Sequence, residues 1–308
     1  MKVFIDGQAG TTGLQLEERL RKRSDVNLLT IDHASRKDLS AKKAIMDEAD
    51  VVFLCLPDDS ARESAKMVSK DTIVIDASTA HRTASGWAYG LPELSLKHRA
   101  AIAHGRRIAV PGCHACGFIS MIYPLVSGGY LPTEAKINCT SLTGYSGGGK
   151  SLIETYESGR KAGDRLQSPR PYALGLKHKH LPEMTSVCGL STAPHFYPVV
   201  GDMACGMLVT VHLWAKQFNK TISPTDVEEI LREYYIDARF IRVIEPDTED
   251  GFVDPTACNG TNKLELAVFG HDEQILIMAR LDNLGKGASG AAVQCMNIAN
   301  GLDEGLGL

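Results

Sequence analysis

The chain has 308 residues, 44% hydrophobic and 23% charged, the composition of an ordinary globular protein with room for one or two domains. Its formal net charge of -4 removes the electrostatic case for nucleic acid and for strongly anionic membrane surfaces. No apolar run approaches the roughly 20 residues of a membrane-spanning helix, and the N-terminus MKVFIDGQAG reads as a first strand rather than a signal peptide, so the expected location is cytoplasmic.

In chain order, VFID (3–6) predicts a strand, followed by a glycine-rich turn and a helix to about Arg23 with Leu16 and Leu20 on one face. VNLLTI (26–31), VVFLCLP (51–57) and TIVIDAS (72–78) predict three more strands. SARESAKMVSK (60–70) fills the gap between the last two as a helix, and RIAVPG (107–112) adds a strand ending at a Pro-Gly stop. Near-continuous apolar strands separated by helices are what a parallel sheet covered on both faces requires.

Beyond residue 112 the texture changes. INCTSLTG, MLVTVHLW, RFIRVIE, KLELAVFG and QILIMARLDN are longer alternating strands with fewer helices between them, which predicts a mostly antiparallel sheet. Ser223, Pro224 and Asp226 signal one helix through an N-cap, a proline at its first position and an acid at its third. The small-residue-rich tail is predicted helical from about Ala288. The expected fold is therefore α/β, a Rossmann-type dinucleotide-binding domain joined to an α+β domain with a mostly antiparallel sheet.

Three groups of residues carry chemistry. Gly7-Gln8-Ala9-Gly10-Thr11-Thr12-Gly13 sits between the first strand and the first helix, where glycines permit a tight turn and bring backbone N–H groups to a pyrophosphate. The bland alternative is a plain glycine-rich turn. Asp32 follows the second strand, where a carboxylate binds the ribose of NAD, but Ser35, Arg36 and Lys37 come next and favour the 2′-phosphate of NADP.

The second group is Pro111-Gly112-Cys113-His114-Ala115-Cys116-Gly117, with a cysteine at a strand end and helix start, where its thiolate is stabilised by free N–H groups. An inert buried thiol is the alternative. Of the eight cysteines, Cys55 and Cys139 lie in apolar stretches and behave as small hydrophobes, and the disulfide reading is poor. The single Cys113-x-x-Cys116 pair lacks the partners of a zinc site, so no metal is expected. The third group is Lys177-His178-Lys179-His180-Leu181-Pro182-Glu183, either a surface basic cluster or the source of an acid–base imidazole. On an ideal strand residues 178 and 180 share one side with Lys179 opposite, and Pro182 would hold Leu181 out of helical geometry. Nucleotide, thiol and imidazole together are how an acyl group is reduced through a thioester.

At these residues the chain closely resembles the N-acetyl-γ-glutamyl-phosphate reductase family in its shorter form. The resemblance runs nearly end to end through FIDGQAGTTG (4–13), DASTAHR (76–82), YGLPEL (89–94), PGCHACGF (111–118), TGYSGGGK (143–150), KHKHLPEM (177–184) and GKGASGAAVQ (285–294). It implies NADPH-dependent reduction of a small-molecule acyl phosphate, N-acetyl-γ-glutamyl phosphate, to the semialdehyde in arginine biosynthesis. It implies Cys113 as nucleophile, His180 as acid–base, Arg82 as a substrate anchor, and Ser146 and Gly147 in the loop beside the acyl phosphate. Lys150 is a second anchor by its charge. Gly287 belongs to the cofactor-side segment that returns the chain to the nucleotide domain. The implied domains are 1–112 with 286–308 for NADP, and 113–285 for catalysis, substrate and oligomerisation, in a homo-oligomer (dimer or tetramer).

One departure stands out. Cys116 occupies a position where a small hydroxyl residue is expected and adds a thiol able to pair with the nucleophile under oxidation. His114 follows the nucleophile where the longer form has tyrosine. The competing readings are aspartate-semialdehyde dehydrogenase, a cysteine acyl transferase or hydrolase without nucleotide use, and a non-catalytic nucleotide-binding regulator.

Overall fold

The computed structural model describes residues 1–32, 34–36, 38–158, 163–245, 248 and 251–308. The chain divides into two compact units, Met1–Gly112 with Ala288–Leu308, and Cys113–Gly287.

The first unit begins with β1 (Lys2–Asp6), α1 (Thr11–Arg21), β2 (Asn27–Leu29), α2 (Leu39–Glu48), β3 (Val51–Leu54) and α3 (Asp58–Met67). It continues with β4 (Ile73–Asp76), β5 (Ala88–Tyr89), α4 (Leu96–His104) and β6 (Arg107–Ala109). The strands form one parallel sheet in the order β2-β1-β3-β4-β6-β5. Strand periodicity of two sorts the apolar residues onto its faces. Val3, Ile5, Val51, Phe53, Ile73 and Ile75 join Leu16 and Leu20 of α1 in one core; Phe4, Val52, Leu54 and Val74 join Met46 of α2 in the other. β3 and β4 are buried at all four positions, which is why both read as unbroken apolar runs. β2 is shorter than the predicted 26–31, because it is an edge strand, partly exposed and, among the described residues, paired with β1 alone. β4 stops at Asp76, whose carboxylate accepts from Ser78 N–H at 2.9 Å and turns the chain.

The second unit contains α5 (Cys113–Ser127), β7 (Asn138–Thr143), α6 (Gly149–Glu157), β8 (Arg170–Pro171), α7 (Leu181–Cys188) and β9 (His195–Val200). β10 (Met207–Trp214), α8 (Pro224–Tyr234), β11 (Ile241–Val243), β12 (Leu264–His271) and β13 (Gln274–Leu281) complete it. The sheet order is β11-β12-β13-β10-β7-β9-β8, antiparallel except where β11 meets β12 and β7 meets β9. The predicted cap of α8 is present: Ser223 Oγ accepts from Asp226 N–H at 3.2 Å and Asp226 Oδ2 from Ser223 N–H at 2.7 Å. α5 lies close on the sheet, since a Cβ on Gly117 would stand 2.7 Å from Val209 Cγ2. After β13 a wide π-type turn (Gly285–Ser289) leads into α9 (Gly290–Ala299), whose Ala291, Val293 and Met296 complete the first core of the first unit. Among the described residues no helix is long and apolar enough to cross a membrane.

Candidate active site

In the first unit, the turn after β1 is built around Gly7, at φ 91°, where a Cβ would collide with Cys55 O at 2.2 Å. Gly13 is equally required, because a Cβ there would lie 2.5 Å from Gly7 O. Gly10 is not: an added Cβ would meet only ordinary contacts, the nearest Gly7 O at 3.4 Å. Gly10 caps α1 without a side-chain hydrogen bond, and the first turn, with Thr11, Thr12 and Gly13, contains no acidic residue. The free N–H groups of this helix end suit an anion. Ser35 and Arg36 lie in the turn beyond β2, where Ser35 N–H donates to Asp32 O at 2.9 Å and Arg36 is exposed. Lys37 falls outside the described residues.

Buried Asp76 organises the loop that carries Arg82. Its carboxylate accepts from Ser78 Oγ at 2.7 Å and meets His81 Nδ1 at 2.6 Å, while the His81 ring stacks on Trp87 at 3.9 Å. Arg82 is thereby placed with Nε donating to Val110 O at 2.9 Å and Nη2 to Ala77 O at 3.2 Å.

In the second unit, Cys113 is the first residue of α5 and half-buried. Its sulfur, one ring nitrogen of His114 and one of His180 lie within 4.8 Å of one another. His178 adds a third imidazole, edge-on to His114 at 5.4 Å and to His180 at 4.6 Å between ring centres, with Phe196 of β9 against His114 and His178. The histidine segment is not a strand. His180 sits at φ -87°, ψ -11° as the N-cap of α7, and its N–H donates to His178 Nδ1 at 3.2 Å. Leu181 opens α7 rather than standing outside helical geometry, because Pro182 occupies the first turn, where its missing N–H is not needed. A tight turn, not period two, brings the two rings together.

Both nitrogens of His114 are taken, Nδ1 by Ser141 Oγ at 2.7 Å and Nε2 by Tyr172 Oη at 2.8 Å. A metal held by Cys113, His114 and His180 would therefore have to break a buried hydrogen bond. Burial, with the charges of His178 and Lys179 added, pushes the His114 pKa from 6.5 down to about 3. Its folded pKa lies below the unfolded one, so below pH 6.5 the unfolded chain takes up the proton first and stability falls as pH drops toward 3. The unfolding free energy of His114→Gln, from denaturant titrations between pH 7 and pH 4, is expected to fall less steeply than that of the native chain, by up to about 1.4 kcal/mol per pH unit. Equal slopes would contradict the assignment.

Gly287 packs against Cys113, since a Cβ there would stand 2.8 Å from Cys113 Cβ. Cys116 is fully buried, with Sγ 3.7 Å from Lys286 O, and all eight cysteines are free thiols. Ser146 and Gly147 lie in a short helical turn after β7, where Ser146 Oγ accepts from Asn283 Nδ2 at 2.9 Å. Lys150 is exposed on α6, 3.9 Å from Glu154. Ser141, Tyr172 and Asn283 had no sequence signal, since strand pairing and loop packing alone bring them here.

Residues 2–103 match the family model described as semialdehyde dehydrogenase, NAD binding domain, and residues 113–283 match semialdehyde dehydrogenase, dimerisation domain. N-acetyl-gamma-glutamyl-phosphate reductase 2 of Nostoc sp. is 44% identical over 318 residues, covering 100% of this chain and 99% of that protein. The chain belongs to the N-acetyl-γ-glutamyl-phosphate reductase family. The Pseudomonas putida reductase 2 is 42% identical, covering 97% of this chain and 96% of its own. Among solved structures, an aspartate semialdehyde dehydrogenase from Francisella tularensis superposes with TM-score 0.73 at 13% identity, over 97% of this chain and 100% of that one. The Candida albicans enzyme, solved with NADP, gives 0.65 at 16%, over 97% and 98%. At such identities the likeness of this reductase-family chain to them is one of fold.

Proposed function

We propose that the chain catalyses NADPH-dependent reduction of N-acetyl-γ-glutamyl phosphate to N-acetylglutamate semialdehyde and phosphate, through a thioester on Cys113, in arginine biosynthesis. The observation that carries this reading is Cys113 at the start of α5 with nitrogens of His114 and His180 within 4.8 Å. In it the first unit is the NADP-binding domain and the second the catalytic, substrate and oligomerisation domain, in a cytoplasmic homo-oligomer, dimer or tetramer. Tyr197 and Trp214, large and exposed on β9 and β10, are groups a subunit interface would cover.

The helix N-terminus favours the Cys113 thiolate. The sulfur attacks the γ-carbonyl carbon, the bond from that carbon to the phosphate oxygen breaks, and phosphate leaves with the bonding electrons. When bound, NADPH supplies the hydride that takes the thioester to the aldehyde level. His180 gives a proton to the carbonyl oxygen as the thiohemiacetal forms on Cys113 and recovers it as the carbon–sulfur bond breaks. Arg82 anchors an anionic group of the substrate, with Ser146 and Gly147 beside the acyl phosphate. The glycine turn fits the nucleotide: Gly7, Gly10, Thr11, Thr12 and Gly13 would hold the pyrophosphate, Ser35 and Arg36 the 2′-phosphate, and Gly287 would flank the cofactor. The smallness of Gly10, which the chain's own packing does not demand, keeps that helix end open.

The test is oxidation of N-acetylglutamate semialdehyde with NADP and phosphate, followed as NADPH formation, beside aspartate semialdehyde. NADPH is expected only with all three components present and much faster with the N-acetyl substrate. Turnover confined to aspartate semialdehyde, or none with either, would contradict the reading. Arg36→Ala is expected to raise the KM for NADPH about ten- to a hundredfold, the scale of a hydrogen bond to a charged group, and to leave NADH almost untouched. Equal weakening of both cofactors would remove Arg36 from the 2′-phosphate.

A further inference from the structure

His114 carries one ring proton and has two neighbours, so it donates to one and accepts from the other. Ser141 decides the direction. Its hydroxyl is fully buried on β7, and among the described residues its hydrogen-bond partner is His114 Nδ1. With the proton on Nδ1, the Ser141 O–H would be a buried donor without an acceptor, a costlier defect than a spare lone pair. Ser141 therefore donates to Nδ1, and His114 Nε2–H donates to the Tyr172 oxygen. The phenol proton is left for a third group.

We propose that Ser141, His114 and Tyr172 form a hydrogen-bond relay that holds the Tyr172 hydroxyl as donor to the oxygen of the acyl group on Cys113. Tyr172 is then a catalytic residue, and His114 and Ser141 are positioning residues. The inference rests on acyl transfer to Cys113. Burial, reinforced by the neighbouring charges of His178 and Lys179, keeps the His114 ring neutral across the working pH range. Burial and the nearby charge of Cys113 raise the Tyr172 phenol, so it stays protonated and able to donate. Roles divide accordingly: His180 moves a proton, while Tyr172 stabilises developing negative charge without giving its proton up.

Two measurements test the relay without nucleotide or N-acetylglutamyl phosphate, so its failure is separable from that of the proposed reaction. In the first, long-range ¹⁵N–¹H NMR of the histidine-labelled protein, with His114 assigned by its loss in His114→Gln, is expected to show the proton on Nε2. A proton on Nδ1 overturns the relay. In the second, acylation of Cys113 by 4-nitrophenyl acetate is followed as nitrophenolate release, with Cys113→Ser as the blank. Tyr172→Phe is expected to slow it about 10²-fold, the effect of removing one oxyanion donor. Ser141→Ala should slow it about tenfold by releasing the tautomer, and add nothing in the Tyr172→Phe background. Native acylation rates in both single variants, or independent effects in the double variant, overturn it. Each substitution removes one oxygen, and the two read the relay from opposite ends, so either suffices if the other fails to fold.

Discussion

Cys113→Ser is expected to abolish turnover, by about 10⁴-fold or more, while NADPH binding stays nearly native. A serine hydroxyl at neutral pH lacks the nucleophilicity of a thiolate, and neither the helix N-terminus nor the nearby imidazoles can restore it. Cys116→Ser is the informative companion. Cys116 is fully buried three residues along α5 and belongs to the packing against Lys286 O, so its variant should keep most of the activity. Initial rates and fluorescence titration of NADPH check both variants. Exchanged phenotypes would mean that the wrong thiol has been assigned.

His180→Asn carries the second large effect, a fall in kcat of about 10²–10⁴-fold with NADPH affinity retained, the range for a positioned acid–base group. The ring is buried at the start of α7 and close to the sulfur, whereas His178 receives the His180 backbone N–H and contributes to its placement. His178→Asn should cost less, mainly in KM if it touches substrate. The profile of kcat against pH for both variants separates the roles. A native profile and rate in His180→Asn would transfer the proton chemistry to His178 or to water.

The parallel sheet was legible because β3 and β4 are buried on both faces and therefore spell VVFL and IVID without a polar break. β9 was not, because Pro198 interrupts its apolar run, though the strand pairs with β7 along all six positions. Cys113 was readable from its own local context, a thiol at a strand-to-helix junction. The histidine pair was legible as a candidate source of an acid–base group but not as geometry: an extended segment would set both rings on one side, whereas α7 begins at Leu181 and folds the preceding residues into a turn. Tyr172 and Ser141 left no mark, since they reach His114 from chain positions 58 and 27 residues away. Lys150, chosen for its charge, instead faces solvent beside Glu154. Ion pairs of this exposed kind form on the helix surface whatever the site requires.

The most direct measurement is peptide mass spectrometry of the protein mixed with N-acetyl-γ-glutamyl phosphate in the absence of nucleotide. An N-acetylglutamyl adduct is expected on the peptide containing Cys113, and added NADPH should discharge it with stoichiometric oxidation of the nucleotide. Turnover of NADPH without an adduct at Cys113, or an adduct on any other cysteine that NADPH discharges, would contradict the thioester mechanism.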